Sequence, residues 1–183
     1  MKIIVFLFPI LFASCFTFAQ ESKRVSYDQL GISFVIPPGW QPQEINQGIL
    51  LQKPSLAGFI FASTHSQSLE ELKADALKPL NDGQGTNLQL VDGLQSLGPH
   101  GIAGDYQGLL EGSPAKCYII GMENPTGGLG ITIMAASQPD LFSEQLREVA
   151  MEFASSFQFQ KVDKSSEIEE WKTFLSGMRL TYM

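Results

Sequence analysis

Apolar and polar residues alternate at Ile32-Ser33-Phe34-Val35-Ile36 after the turn-prone Gly31, which predicts a strand that Pro37-Pro38-Gly39 ends sharply. Trp40 follows at once as a core anchor. Two short apolar runs, Ile49 to Gln52 and Gly58 to Thr64, flank Lys53-Pro54-Ser55 and read as strand, turn and strand. The period then changes. Ser68 with Glu71 three residues on forms a capping box, and Leu69, Leu72, Ala76, Leu77 and Leu80 make one helical stripe that Asn81 to Thr86 brings to a stop. From Leu88 to Ala136 the strand pattern returns, with breaks at Gly98-Pro99-His100-Gly101, at Glu111-Gly112-Ser113-Pro114 and at Asn124 to Gly128. Breaks that close together predict consecutive antiparallel strands rather than parallel crossovers.

A second helix is expected from about Pro139, with Phe142, Leu146, Val149 and Phe153 on the face that lies on the sheet. Ser155-Ser156-Phe157-Gln158-Phe159 alternates as a closing strand. Strands dominate and helices are few, so the expected class is α+β with a central antiparallel sheet flanked by helices. No internal repeat and no low-complexity tract interrupts the pattern.

Ahead of this domain, Lys2, the apolar run Ile3 to Phe12, and the small residues Thr17 and Ala19 read as an export signal cut between Ala19 and Gln20. Pro9 interrupts the run, which is shorter than a spanning helix needs. Phe12-Ala13-Ser14-Cys15 loosely resembles a bacterial lipobox, but Phe12 and Ser14 match it poorly, so the expectation is cleavage rather than a lipid anchor at Cys15. Cleavage removes residues 1–19 of the 183, leaves one domain at 20–160, and sets a tail at 161–183. The expected location is therefore periplasmic or extracellular, without stable membrane insertion. In the tail, a third helix is predicted from Glu167 with Ile168, Trp171, Leu175 and Met178 on one side. Trp171, Leu175, Gly177 and Leu180 also look like the entry to a second, truncated domain, with a terminal helix packing on the domain or a partner as the plainer alternative.

Loss of Lys2 takes the net charge from −7 to −8, which argues against an electrostatic grip on nucleic acid or an anionic membrane. Cys117 becomes the lone thiol, so no internal disulfide forms, and its strand context predicts a small buried apolar residue.

Gly31 to Trp40 resembles the opening strand of the PsbP-like superfamily. Ile131 to Ala136, the helix after it and Ala154 to Phe159 are similar to that superfamily's last strand, long helix and closing segment. The resemblance spans about residues 27 to 160. It implies an α/β/α sandwich and, because members are mostly non-catalytic accessory or protein-binding subunits, a protein partner. It carries over no functional residue, and nothing in the chain supports a manganese, calcium or chloride role.

Candidate chemistry is sparse. Serine hydrolysis needs a base, and the only histidines, His65 and His100, sit at a strand end and in a turn, where surface positions are the plain expectation. Ser96 lacks the spacing of a nucleophile elbow. Two separated histidines and one thiol make no zinc site, and Asp82 and Asp92 read as solvated turn residues. Gly127-Gly128-Leu129-Gly130 lacks the lysine of a phosphate loop and reads as a hairpin turn. Asn124-Pro125-Thr126 is excluded from glycosylation by its proline. No catalytic, cofactor or metal residue is assigned, and the expected function is an exported, non-catalytic accessory or interaction module. The alternative is an apolar or lipid ligand held by Phe34, Trp40, Phe59 and Phe61.

Overall fold

A computed structural model describes residues 24–45 and 48–162. The expected export signal with Cys15, Ala19 and Gln20, and the part of the expected tail that holds Trp171, lie outside them. Strands β1 (Arg24–Tyr27) and β2 (Ile32–Val35) are joined by a 3₁₀ turn, Asp28–Leu30, that closes at Gly31 with φ +63°, a conformation glycine adopts without strain. β3 (Gln41–Ile45), β4 (Gly48–Gln52) and β5 (Phe59–His65) follow as a meander. Helix α1 (Leu69–Ala76) comes next, then β6 (Leu80–Asn81), β7 (Asn87–Leu90), β8 (Gln95–Ser96), β9 (Gly101–Leu110), β10 (Ser113–Met122) and β11 (Gly130–Ser137). Helix α2 (Glu144–Ser155) and β12 (Gln158–Phe159) close the described chain.

Among the described residues every strand pairing is antiparallel, and the class is α+β. The large sheet runs β3-β4-β5-β11-β10-β9-β7-β6, with β8 on the outer side of β9. A small sheet, β1-β2-β12, lies apart from it. Side chains alternate between two faces along each strand. Leu51, Ile60, Ala62, Ala103, Tyr118, Ile120, Ile131, Ile133 and Ala135 form one face and pack with Leu146, Ala150 and Phe153 of α2 and with Ile32 and Phe34 of the small sheet. Phe59, Leu88, Tyr106, Cys117, Ile119, Met134 and Ala136 belong to the other.

Trp40 is buried in the first core, and the breaks at Gly98, Glu111 and Asn124 each separate two strands, as their turn chemistry demands. The capping box is present in full: the Ser68 hydroxyl accepts from the Glu71 N–H, and the Glu71 carboxylate accepts from the Ser68 N–H.

Three boundaries differ from the sequence expectation. α1 stops at Ala76, short of the stripe's end, because Pro79 cannot donate and also disfavours helix at Lys78. Leu77 is consequently 67 % exposed, and Leu80 enters β6. α2 begins at Glu144 rather than near Pro139. Pro139–Leu141 is a separate 3₁₀ turn, Phe142 is extended, and Ser143 provides the cap by accepting the Leu146 N–H at 3.2 Å. The closing strand shortens to Gln158–Phe159 because Ser155 belongs to α2, where its hydroxyl donates to the Met151 carbonyl. Hydrophobic patterning misses β1, a half-exposed strand, and β3, in which all five residues are exposed and Pro42 is accommodated as edge strands allow.

Candidate functional site

The large sheet is apolar on both faces, yet its two faces are covered unequally. α1 has eight residues and is therefore about 12 Å long at the usual helical rise. Five strands, β4 to β9 in sheet order, span about 19 Å at normal strand spacing. α1 packs on β9 and β10 and leaves the β4, β5 and β11 side of that face without a helix. Leu72 is its one buried residue and seats against Gly121, where a side chain would crowd it. At the far end of the helix, the Tyr106 hydroxyl donates to the Ala76 carbonyl at 2.9 Å.

Between α1 and the sheet lies a hollow of about 240 Å³ lined by Phe61, Leu72, Ile102, Tyr106, Ile119 and Met134. A wider hollow of about 720 Å³ opens beyond it, lined by Ile45, Leu50, Phe59, Leu110, Pro114 and Leu141. Phe61 and Met134 line both, so the two form one trough along the face. Its rim carries Leu141 at 52 % and Ile45 at 41 % exposure, large apolar side chains held in water.

The polar residues weighed as candidate chemistry are placed as follows. The His65 Nδ1 accepts the Gln67 N–H at 3.1 Å, which leaves no lone pair to receive a proton from a hydroxyl. His65 is thus not the surface residue expected: its ring is half-buried over Gly130, and burial lowers its pKa from 6.5. His100 is exposed and lies 3.4 Å from Glu123. Ser96 is exposed on β8 and donates to the Gly98 carbonyl. The Asp82 carboxylate accepts the N–H groups of Gln84 and Thr86, which lowers its pKa. Asp92 is exposed. Asn124 is buried and organises the β10–β11 turn: its Nδ2 donates to the Leu129 carbonyl, and its Oδ1 accepts from Thr126. Gly127 to Gly130 belong to that same connection.

The four aromatics assigned to a ligand pocket do not meet. Phe34 and Trp40 sit in the core under α2, whereas Phe59 and Phe61 face the trough on the opposite side of the sheet. Phe34 belongs to the small sheet, Trp40 precedes β3, and Phe59 and Phe61 share the opposite face of β5, so the lipid reading loses its site. Met134, Ile119 and Leu141 were not singled out by sequence. The signal available was Ile131 to Ala136, where residues of both parities are apolar and each face therefore requires cover.

Cys117 is fully buried on β10 beneath the trough, and desolvation pushes its thiol up to about 12. At about pH 8 the native protein should leave Cys117 unlabelled by a maleimide while urea-unfolded protein reacts fully. Peptide mass spectrometry reads the difference, and labelling of the native form would show that the sheet opens locally.

The architecture is that of the PsbP and Mog1 structures. The solution structure of cyanobacterial PsbP (CyanoP) from Synechocystis matches with a TM-score of 0.52 at 15 % identity, over 81 % of this chain and 99 % of that one. The crystal structure of the Ran-binding protein Mog1p of Saccharomyces cerevisiae matches with a TM-score of 0.52 at 12 % identity, over 79 % and 97 %. A Bacteroides thetaiotaomicron structure matches with a TM-score of 0.52 at 13 % identity, over 76 % of this chain and 49 % of its own. Neither a family model nor a curated protein matches the sequence. The PsbP-like resemblance thus holds at the level of fold.

Proposed function

We propose that this chain is a non-catalytic accessory module that binds a protein partner through the trough beside α1, outside the cytoplasm after removal of residues 1–19. The carrying observation is the unequal cover of the sheet: α2 and the small sheet lie across one apolar face and leave a hollow of about 390 Å³ between Phe34 and Ile49, whereas the other face has only α1 and carries Ile45 and Leu141 on its rim. Exposed apolar surface of this kind marks interaction sites on water-soluble proteins. A fold shared with a protein described as Ran-binding supports the same reading. So does a layered plan in which α1 and α2 flank the sheet as an α/β/α sandwich, because such a plan commits α2 to the core and leaves α1 free to serve the trough.

A photo-crosslinking residue at Leu141 should capture one discrete protein species in cells that produce the chain. The same residue at Glu152, exposed on α2, should not. Leu141→Asp should reduce capture from a crosslinker at Ile45 at least about tenfold, because it sets a charge against an apolar contact that the partner must desolvate. Equal crosslinking from both positions would sink the proposal. Intact mass of the exported form, expected to begin at Gln20, tests the location.

A further inference from the structure

His65 stands where the lid over the trough is fastened. It is the last residue of β5, opposite Gly130 of β11, and its ring lies across that glycine, where any side chain would collide with it. Nδ1 accepts the Gln67 N–H, the amide immediately before the Ser68 cap of α1. Because an amide N–H can only donate, the ring proton of the neutral form sits on Nε2, which is buried without a hydrogen-bond partner. Downstream, the Gln67 side chain donates to Asp75 at 2.6 Å, so this one connection also ties the helix along its length. α1 is therefore held at its start by His65, at its middle by Leu72 on Gly121, and at its end by Tyr106.

We propose that His65 is the latch of an acid-opened lid, and that protonation of its ring frees the start of α1 and widens the trough. The inference rests on the reading of the trough as the binding face. A proton on Nδ1 sets two donors, that nitrogen and the Gln67 amide, against each other and places a charge in a half-buried site beside a helix N-terminus, where cations are disfavoured. On the packed elements only backbone groups compensate, and only in part. β11 brings Gly130 and Ile131, β10 brings Met122, and their backbone groups favour the charged ring less than burial opposes it. On α1, Glu71 is bonded to Ser68, Glu70 to Lys73, and Asp75 to Gln67 and Lys78. Glu123, just past β10, pairs with His100. The folded pKa is depressed, so the latch stabilises the corner fully above about 6.5 and is lost as pH falls through the lower folded value.

Amide hydrogen exchange on the whole domain tests this without any partner. Between about pH 7.5 and about pH 5, protection of residues 69–76, corrected for the intrinsic rate, should fall at least about tenfold while β10 and β11 keep theirs. His65→Asn, whose Oδ1 can accept the Gln67 N–H but cannot titrate, should abolish the fall, and His100→Asn should not. In the parent protein, NMR shifts of α1 amides should follow the ring titration of His65 rather than that of His100, a readout that survives if His65→Asn folds poorly. Unchanged protection in the parent, equal loss in His65→Asn, or α1 shifts that track His100 would each overturn the latch. Failure of crosslinking at Leu141 with an intact pH response would instead count against the binding reading.

Discussion

Phe153→Ala is expected to destabilise the domain by about 3–5 kcal/mol, the range for deleting a buried phenylalanine from a packed core. Phe153 is 1 % exposed on α2 and touches two other rings: Phe34 of β2 edge-on at 5.4 Å and Phe157 at 5.1 Å. Phe34 and Phe157 stack on each other at 4.9 Å, so the three rings join the small sheet, α2 and the segment that leads into β12. Truncation removes the burial of one ring and two aromatic contacts, each contributing about 0.5–1.5 kcal/mol beyond area. The cavity left between three separate elements has no single neighbour able to fill it. Urea unfolding should show the loss as a lower midpoint with an unchanged slope, and the melting temperature should drop on the order of 10 °C. Phe61→Ala is the comparison. Phe61 is only partly buried and faces the open trough, so its removal should cost about 1–2 kcal/mol by the area it hides. Equal costs at the two positions would mean that the trough side of the sheet is as tightly packed as the α2 side.

The contrast between those two phenylalanines also shows what periodicity can and cannot supply. Alternation at Ile32-Ser33-Phe34, the Ser68 capping box and the glycine-rich breaks are local signals, and each appears in the fold as its chemistry dictates. β3 was illegible because an exposed edge strand hides nothing and so carries no pattern. The end of α1 was set by Pro79 overriding a stripe that looked continuous, and the start of α2 by Ser143 outcompeting the proline signal at Pro139. The trough was harder still. Its lining comes from β3, β4, β5, β9, β10 and β11 together with α1 and the Pro139–Leu141 turn, and which face of each strand α1 covers depends on register across the sheet. His65 carries no sequence signature either, because its meaning comes from a glycine 65 residues later that makes room for the ring.

Arg147→Ala should cost about 2–4 kcal/mol, the larger part from stranding a carboxylate rather than from losing an attraction. Arg147 of α2 lies over the Tyr118 ring at 4.6 Å and donates from both terminal nitrogens to Asp105 of β9, from Nη1 at 2.8 Å. Tyr118 and Asp105 are directly paired across β10 and β9, so the guanidinium caps a cross-strand pair with a planar fork that fits both. The two side chains are 20 % and 14 % exposed, enough cover to limit screening by salt. The bond to Asp105 holds the Arg147 pKa above its ordinary value, so the guanidinium keeps its charge. Arg147→Lys should recover less than half of the loss, because an ammonium cannot make both bonds or lie flat on the ring. Arg147→Met combined with Asp105→Leu should recover most of it, since a well-packed apolar pair replaces a mostly buried ion pair at little cost. The double-mutant cycle measures this directly: a coupling energy of at least about 1 kcal/mol is expected, and simple additivity of the single losses would show that α2 is held to the sheet by its apolar face alone.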